Sequence, residues 1–162
     1  MKNMKKERNI ALAVCAVLAA LILLLPSQSS PLYPINLWGD ANCLFTVGRV
    51  MKDGGVLYRD IYEQKGPLLY LIHAAAACLS DTSFSGVYLM EIPALTAALY
   101  AAYRLMRLRA GSAFALGAAA VFGALTTTGG SFMRGDSAEE FCLPLLMAAL
   151  AIAYAEYGRR AK

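Results

Sequence analysis

Apolar residues in this chain fall into runs of unequal length, and the lengths decide what each run is expected to do. The first, Ile10 to Leu25, follows Lys2, Lys5, Lys6 and Arg8. At 1.5 Å per residue it covers roughly 24 Å, short for a membrane span but usable in a thin bilayer. A signal peptide has the same basic start and apolar core. No small-x-small cleavage site closes the run before Pro26-Ser27-Gln28-Ser29-Ser30, so it reads as a retained first span. Apolar patterns over residues 84–103, 112–128 and 141–156 read as three further spans. Pro67 to Leu79 is apolar but well below the roughly 20 residues a span needs, which favours an interfacial or re-entrant helix.

Between the first two spans the pattern changes period. Pro26 to Pro34 reads as a loop, with Trp38 placed for a membrane interface. Asp40 then opens a helical pattern with Leu44, Val47 and Met51 on one side and Asn42, Arg49 and Asp53 off it, ended by Gly54-Gly55. This predicts an amphipathic helix on the membrane surface, with Asp40 as its N-cap if it does nothing chemical. The fold class expected is an all-α integral membrane protein, a single domain of about four transmembrane helices, with two interfacial amphipathic helices in the first external loop.

Composition agrees: 59% of residues are hydrophobic and 16% charged, with mean hydropathy +0.51, whereas soluble domains are about a quarter charged. Charge placement sets the orientation. With four spans, Lys2, Lys5, Lys6, Arg8, Arg104, Arg107, Arg109, Arg159, Arg160 and Lys162 share one side, while Arg49, Lys52, Arg59, Lys65 and Arg134 lie on the other. If residues 66–79 also crossed, the excess would invert. The positive-inside rule therefore puts both termini in the cytoplasm, with the first loop on the outer side of the cytoplasmic (inner) membrane. The carboxylates of Asp40, Asp53, Asp60, Glu63, Asp81, Asp136, Glu139 and Glu140 then face outward. Basic residues in short clusters at the ends of apolar runs give no nucleic-acid footprint. Cys15, Cys43, Cys78 and Cys142 form no CxxC or Cys/His group, so no metal or cofactor is expected.

Candidate chemistry centres on Tyr58-Arg59-Asp60-Ile61-Tyr62-Glu63-Gln64-Lys65-Gly66-Pro67-Leu68-Leu69-Tyr70. Pro67 suits the first turn of a helix, whose free N–H groups favour anions. Lys65 just before it points to a phosphate with a greasy other end, or to an interfacial lysine marking the membrane edge; both readings stand. Glu91, inside an expected span, reads first as a contact with a neighbouring helix and second as a functional carboxylate. His73 reads as a packing or headgroup contact. Asp136 with Glu139 fits a capping box at the head of the last helix. Chemically, an outward carboxylate to take a hydroxyl proton, beside donors for a departing phosphate, is what sugar transfer from a lipid phosphate needs.

Gly39-Asp40, Gly54-Gly55-Val56-Leu57-Tyr58-Arg59-Asp60, Gln64-Lys65-Gly66-Pro67-Leu68-Leu69-Tyr70 and Glu139-Glu140-Phe141-Cys142-Leu143-Pro144 together resemble the N-terminal part of GT-C membrane glycosyltransferases. These are relatives of the protein mannosyltransferases and the lipid A aminoarabinose transferase. The resemblance implies a polyprenyl-phosphate sugar donor and a catalytic aspartate at Asp40. It implies further acidic positions at Asp136, Glu139 and Glu140, and donor contacts from Lys65, with Tyr58, Arg59 and Glu63 around it. Such enzymes usually carry at least seven spans, so the resemblance also implies a complementing C-terminal membrane segment as partner. The competing expectation is a truncated, non-catalytic membrane protein that binds lipid or a partner subunit.

Overall fold

The computed structural model describes the backbone of residues 2–160 and the side chains of residues 5–158. Lys2, Arg159, Arg160 and Lys162, counted above in the charge balance, lie outside the described side chains. The described residues form six α-helices: α1 (Lys2–Leu23), α2 (Gly39–Lys52), α3 (Pro67–Leu79), α4 (Ser85–Met106), α5 (Ser112–Thr128) and α6 (Ala138–Arg160). A single 3-10 turn, Gly130–Phe132, links α5 to α6. The fold is all-helical.

α4 is the hub, packing against α1, α3, α5 and α6, while α2 lies along α3. Every fourth residue of α1 is buried (Ala11, Cys15, Ala19 and Leu23), a narrow stripe of mostly small side chains that lets α1 approach α4 closely. Leu95, Leu99 and Tyr103 of α4 meet that stripe together with Ala115 and Ala119 of α5. Gly123 permits close approach of α5 to α4: an added Cβ would fall 2.7 Å from Leu99 Cδ2. An added Cβ at Gly117 meets nothing within 4 Å. A second core joins Leu44 and Val47 of α2 to Leu69 and Tyr70 of α3, with Ala138 and Phe141 of α6 against it. The polar positions of α2 behave as the pattern requires, with Asn42, Arg49 and Asp53 exposed.

The opposite faces of these helices are equally apolar. Ile10, Val17 and Leu21 of α1, Phe114, Val121 and Leu125 of α5, and Leu145, Leu146 and Ile152 of α6 are all exposed. One helix, over Ala138–Gly158, is long and apolar enough to cross a membrane, about 31 Å by helical rise. The α3 and α5 helices are apolar but shorter.

The α4 helix runs through Pro93 unbroken. Two details differ from the sequence pattern. Asp40 is not the N-cap of α2: Trp38 holds that position, and Asp40 sits in the first turn, where a negative charge still complements the helix dipole. The head of α6 is capped by Ser137, not Asp136. The Ser137 Oγ accepts the Glu140 N–H at 3.1 Å and the Glu140 carboxyl accepts the Asp136 N–H at 3.1 Å, so the cap lies one residue beyond the expected Asp136–Glu139 pair.

Candidate functional site

Three separate stretches converge at the end of the bundle formed by the start of α2, the start of α3 and the α5–α6 connection. They enclose a cleft of about 260 Å³ lined by Trp38, Asp40, Lys65, Ser131, Met133 and Glu139, among others. Lys65 Nζ stands 3.8 Å from Asp40 Oδ2. Both side chains keep solvent contact, so the pair is weak, and neither group is tied up by the other. Glu139 is exposed on the facing wall. The arrangement offers one cation and two carboxylates around an open, water-sized to sugar-sized space.

Lys65 is placed by the loop before it. The Lys65 N–H is 3.0 Å from Glu63 Oε2 and 2.7 Å from the Tyr70 hydroxyl, which itself donates to Glu63. Burial and the neighbouring Glu63 raise the Tyr70 hydroxyl above its ordinary value, so it stays protonated and keeps donating. Burial alone would raise Glu63, but the hydrogen bonds from Tyr70 and from the Lys65 backbone hold its carboxyl below the ordinary range. The Tyr58 hydroxyl donates to the Lys65 carbonyl at 2.9 Å, and Tyr58 itself adopts a positive φ of 65°. Arg59 forms a bidentate pair with Asp60 (2.8 Å for each contact), and Asp60 also accepts the Val56 N–H. Tyr58, Arg59 and Glu63 therefore shape the loop that carries Lys65, and none of them lines the cleft.

Asp136 and Glu140 have a different setting from Glu139. Both are buried, in a polar cluster that also takes in Ser27, His73 and Glu91. The Asp136 N–H points at two carboxyls at once, Glu91 Oε1 at 2.8 Å and Glu140 Oε2 at 3.1 Å. Ser27 Oγ donates to the other oxygen of Glu91 at 2.8 Å. His73 Nε2 lies 2.6 Å from Asp136 Oδ1, and its Nδ1 lies 2.7 Å from the Leu69 carbonyl. Asp136 and Glu140 are thus enclosed in the protein rather than open to the cleft, unlike Asp40 and Glu139.

The turn is shaped for that purpose. Gly135 has φ +83°, and an added Cβ would stand 2.3 Å from Ser27 Oγ; Asp136 follows at φ 63°. Such left-handed backbone at a non-glycine residue costs free energy and is held here by the three hydrogen-bonded elements around it. Gly48 serves the other side, since a Cβ there would fall 2.5 Å from the backbone carbon of His73, so α2 reaches α3 only as glycine. Burial pulls the imidazole of His73 down, but the Asp136 carboxylate outweighs it and His73 sits above its ordinary value. Asp136, itself buried, sits above the ordinary aspartate range, with His73 pulling partly the other way.

Sequence pattern gives Glu91 as a contact with a neighbouring helix and His73 as a packing or headgroup contact, without naming either partner. Their partners are contributed by distant elements, and only the Ser137-x-x-Glu140 capping pattern marked the segment that joins them. Among the described residues no group of His, Cys, Asp and Glu is arranged to hold a metal ion. Comparison with family models, with curated proteins and with solved structures gives no match.

Proposed function

We propose that this chain is a membrane glycosyltransferase module that moves a sugar from a polyprenyl-phosphate donor to an acceptor hydroxyl on the outer side of the cytoplasmic membrane. The observation that carries this reading is the convergence of Asp40, Lys65 and Glu139 from three separate stretches on one cleft. Lys65 precedes the N-terminus of α3, so a phosphate there meets both an ammonium and the positive end of the helix dipole. Asp40 takes the acceptor hydroxyl proton as the oxygen bonds to the anomeric carbon. The bond from that carbon to the phosphate oxygen breaks, and polyprenyl phosphate leaves with the electron pair beside Lys65. Glu139, on the facing wall, orients the acceptor.

The membrane part of the reading rests on the exposed large apolar residues of α1, α5 and α6 and on the length and apolarity of α6. In this reading α1, α4, α5 and α6 cross the membrane, α2 and α3 lie at its outer face, and both termini are cytoplasmic. The exposed side of α6 meets lipid or a complementing C-terminal membrane segment. A reporter fused after Arg109 is expected in the cytoplasm and one inserted at Ser131 outside; an external signal at Arg109 overturns the four-span topology.

The chemical test uses the full chain in lipid nanodiscs with a glycosylated polyprenyl phosphate. Release of polyprenyl phosphate by the wild type, lost in Asp40→Asn, supports the reading. A wild-type chain that neither binds polyprenyl phosphate nor releases it favours the non-catalytic, lipid- or partner-binding protein.

A further inference from the structure

Away from the cleft, the two nitrogens of the buried imidazole both face acceptors. Nδ1 is 2.7 Å from the Leu69 carbonyl, which accepts only, so Nδ1 carries a hydrogen. Nε2 is 2.6 Å from Asp136 Oδ1, a distance that needs one hydrogen between them. That hydrogen belongs either to an imidazolium facing a carboxylate or to a carboxylic acid facing a neutral imidazole. Either way the pair is neutral overall, and its contact survives only while the hydrogen stays.

We infer that His73 and Asp136 share a single buried proton, and that this joint fixes the width of the cleft by tying the helix behind Lys65 to the turn before Glu139. The tie has few alternatives. His73 sits two turns into α3, the helix that Lys65 introduces, and Asp136 is three residues from Glu139. Phe141 packs edge-on against the His73 ring, so the imidazole is held on its face as well as at both nitrogens. The charged groups facing the pair are Glu91 from α4 and Glu140 from α6, both hydrogen-bonded to the Asp136 N–H. They are carboxyls, so they favour keeping the hydrogen in the pair and oppose a bare aspartate beside a neutral imidazole. The orphaned Asp136 Oδ2 and Glu140 Oε1, each buried with no partner among the described residues, mark the cost of the arrangement. The fold holds three carboxyls around one imidazole where an apolar plug would pack more simply.

The chain contains a single histidine, so nitrogen NMR of a histidine-labelled full chain reads this site alone. Across pH 5 to 8 the wild type is expected to show both imidazole nitrogens bearing or sharing a hydrogen, with no titration near the ordinary histidine value of about 6.5. Asp136→Asn retains a donor to Nε2 but removes the carboxylate. Its imidazole is expected to stay neutral as the Nδ1–H tautomer and to titrate below the ordinary range. A wild-type Nε2 that titrates near about 6.5 overturns the shared proton. If Asp136→Asn does not insert stably, the wild-type titration decides alone.

The effect on the cleft, which rests on the phosphate reading of Lys65, is measured with farnesyl phosphate. Asp136→Asn and His73→Gln are expected to weaken its binding roughly ten- to hundredfold in chains that remain folded, and to add little to Lys65→Ala. Unchanged affinity in both variants overturns the positioning role. A wild type that ignores farnesyl phosphate sinks the donor reading, while the nitrogen signals still judge the proton.

Discussion

The open cleft and the buried cluster use the same residue types for opposite ends. In the cleft, Asp40 and Lys65 approach to only 3.8 Å with solvent around both, and Glu139 faces them unburied. In the cluster, Asp136, Glu91 and Glu140 are enclosed, and every close contact is at hydrogen-bond distance. Exposed charges exchange partners cheaply, and a weak pair gives way to a ligand phosphate or hydroxyl. Enclosed charges lose so much hydration that each must be neutralised or bonded, so they serve as joints. Chemistry and architecture are therefore separated by depth over a few residues of one turn, between Asp136 and Glu139.

The largest effect expected from breaking this contrast lies at Asp40. An asparagine keeps the size and polarity of the side chain but takes no proton. Asp40→Asn in the sugar-transfer assay should lower turnover by about 10²- to 10⁴-fold with helix content unchanged, the range for a lost general base. The comparison gains from Glu139→Gln, which leaves the base intact and should raise the acceptor concentration needed more than it lowers the maximal rate. Near-normal turnover in Asp40→Asn would move the base elsewhere in the cleft.

Next in size is the cluster, and here stability is the readout. Asp136→Ala removes the partner of a buried imidazole, and leaving such a group unpaired typically costs about 3–5 kcal/mol. The pH dependence carries its own sign. His73 is held above its ordinary value in the folded chain, so it binds its proton more tightly folded than unfolded. Its stabilisation is complete below about pH 6.5, the unfolded value, and is lost as the pH rises through the raised folded value. Unfolding in detergent at rising pH should show that decline in the wild type and a flatter profile in Asp136→Asn. A wild type that gains stability from pH 6.5 upward contradicts the raised value.

Much of the fold could be read from the apolar runs, because helix period and run length are local properties. The α3 boundaries follow from Pro67 at its start and the polar Ser80-Asp81-Thr82-Ser83 at its end. Asp40, Lys65 and Glu139 were legible as residue types beside helix starts, although their meeting in one cleft was not. Buried partners are long-range facts. Glu91 was legible as a contact with another element, but Ser27 and the Asp136 N–H could not be named because they are distant in sequence. His73 was legible as a packing or headgroup contact, and its Asp136 partner lies 63 residues away. Gly48 gave no warning either, since its need for glycine comes from the His73 backbone on the neighbouring helix.

Lys65 sits between the two regions, exposed at its tip and fixed at its backbone, and it sharpens the contrast at smaller cost. Lys65→Ala should weaken farnesyl phosphate binding by on the order of 1.5–3 kcal/mol, the worth of a charge-assisted contact, without moving the unfolding transition. Equal loss of stability and binding would make it part of the loop's framework.

The smallest effect is expected at Arg59, and that near-silence is informative. Sequence pattern groups Arg59 with Lys65 as two cations beside one helix start. The fold instead turns the Arg59 guanidinium onto Asp60 through two contacts of 2.8 Å, which keep Asp60 below its ordinary range while it caps the Val56 N–H. Neither residue lines the cleft. Arg59→Gln should therefore leave farnesyl phosphate affinity within about twofold of wild type, as exposed pairs contribute little. Its trace should appear in the loop, as faster amide exchange over residues 56–61 with α3 unaffected, because the Asp60 carboxylate loses the partner that orients it. A drop in affinity as large as that of Lys65→Ala would mean that the loop swings its guanidinium into the cleft when phosphate binds. The boundary between chemical and structural charges would then run inside the loop, between Asp60 and Arg59, rather than between the loop and Lys65.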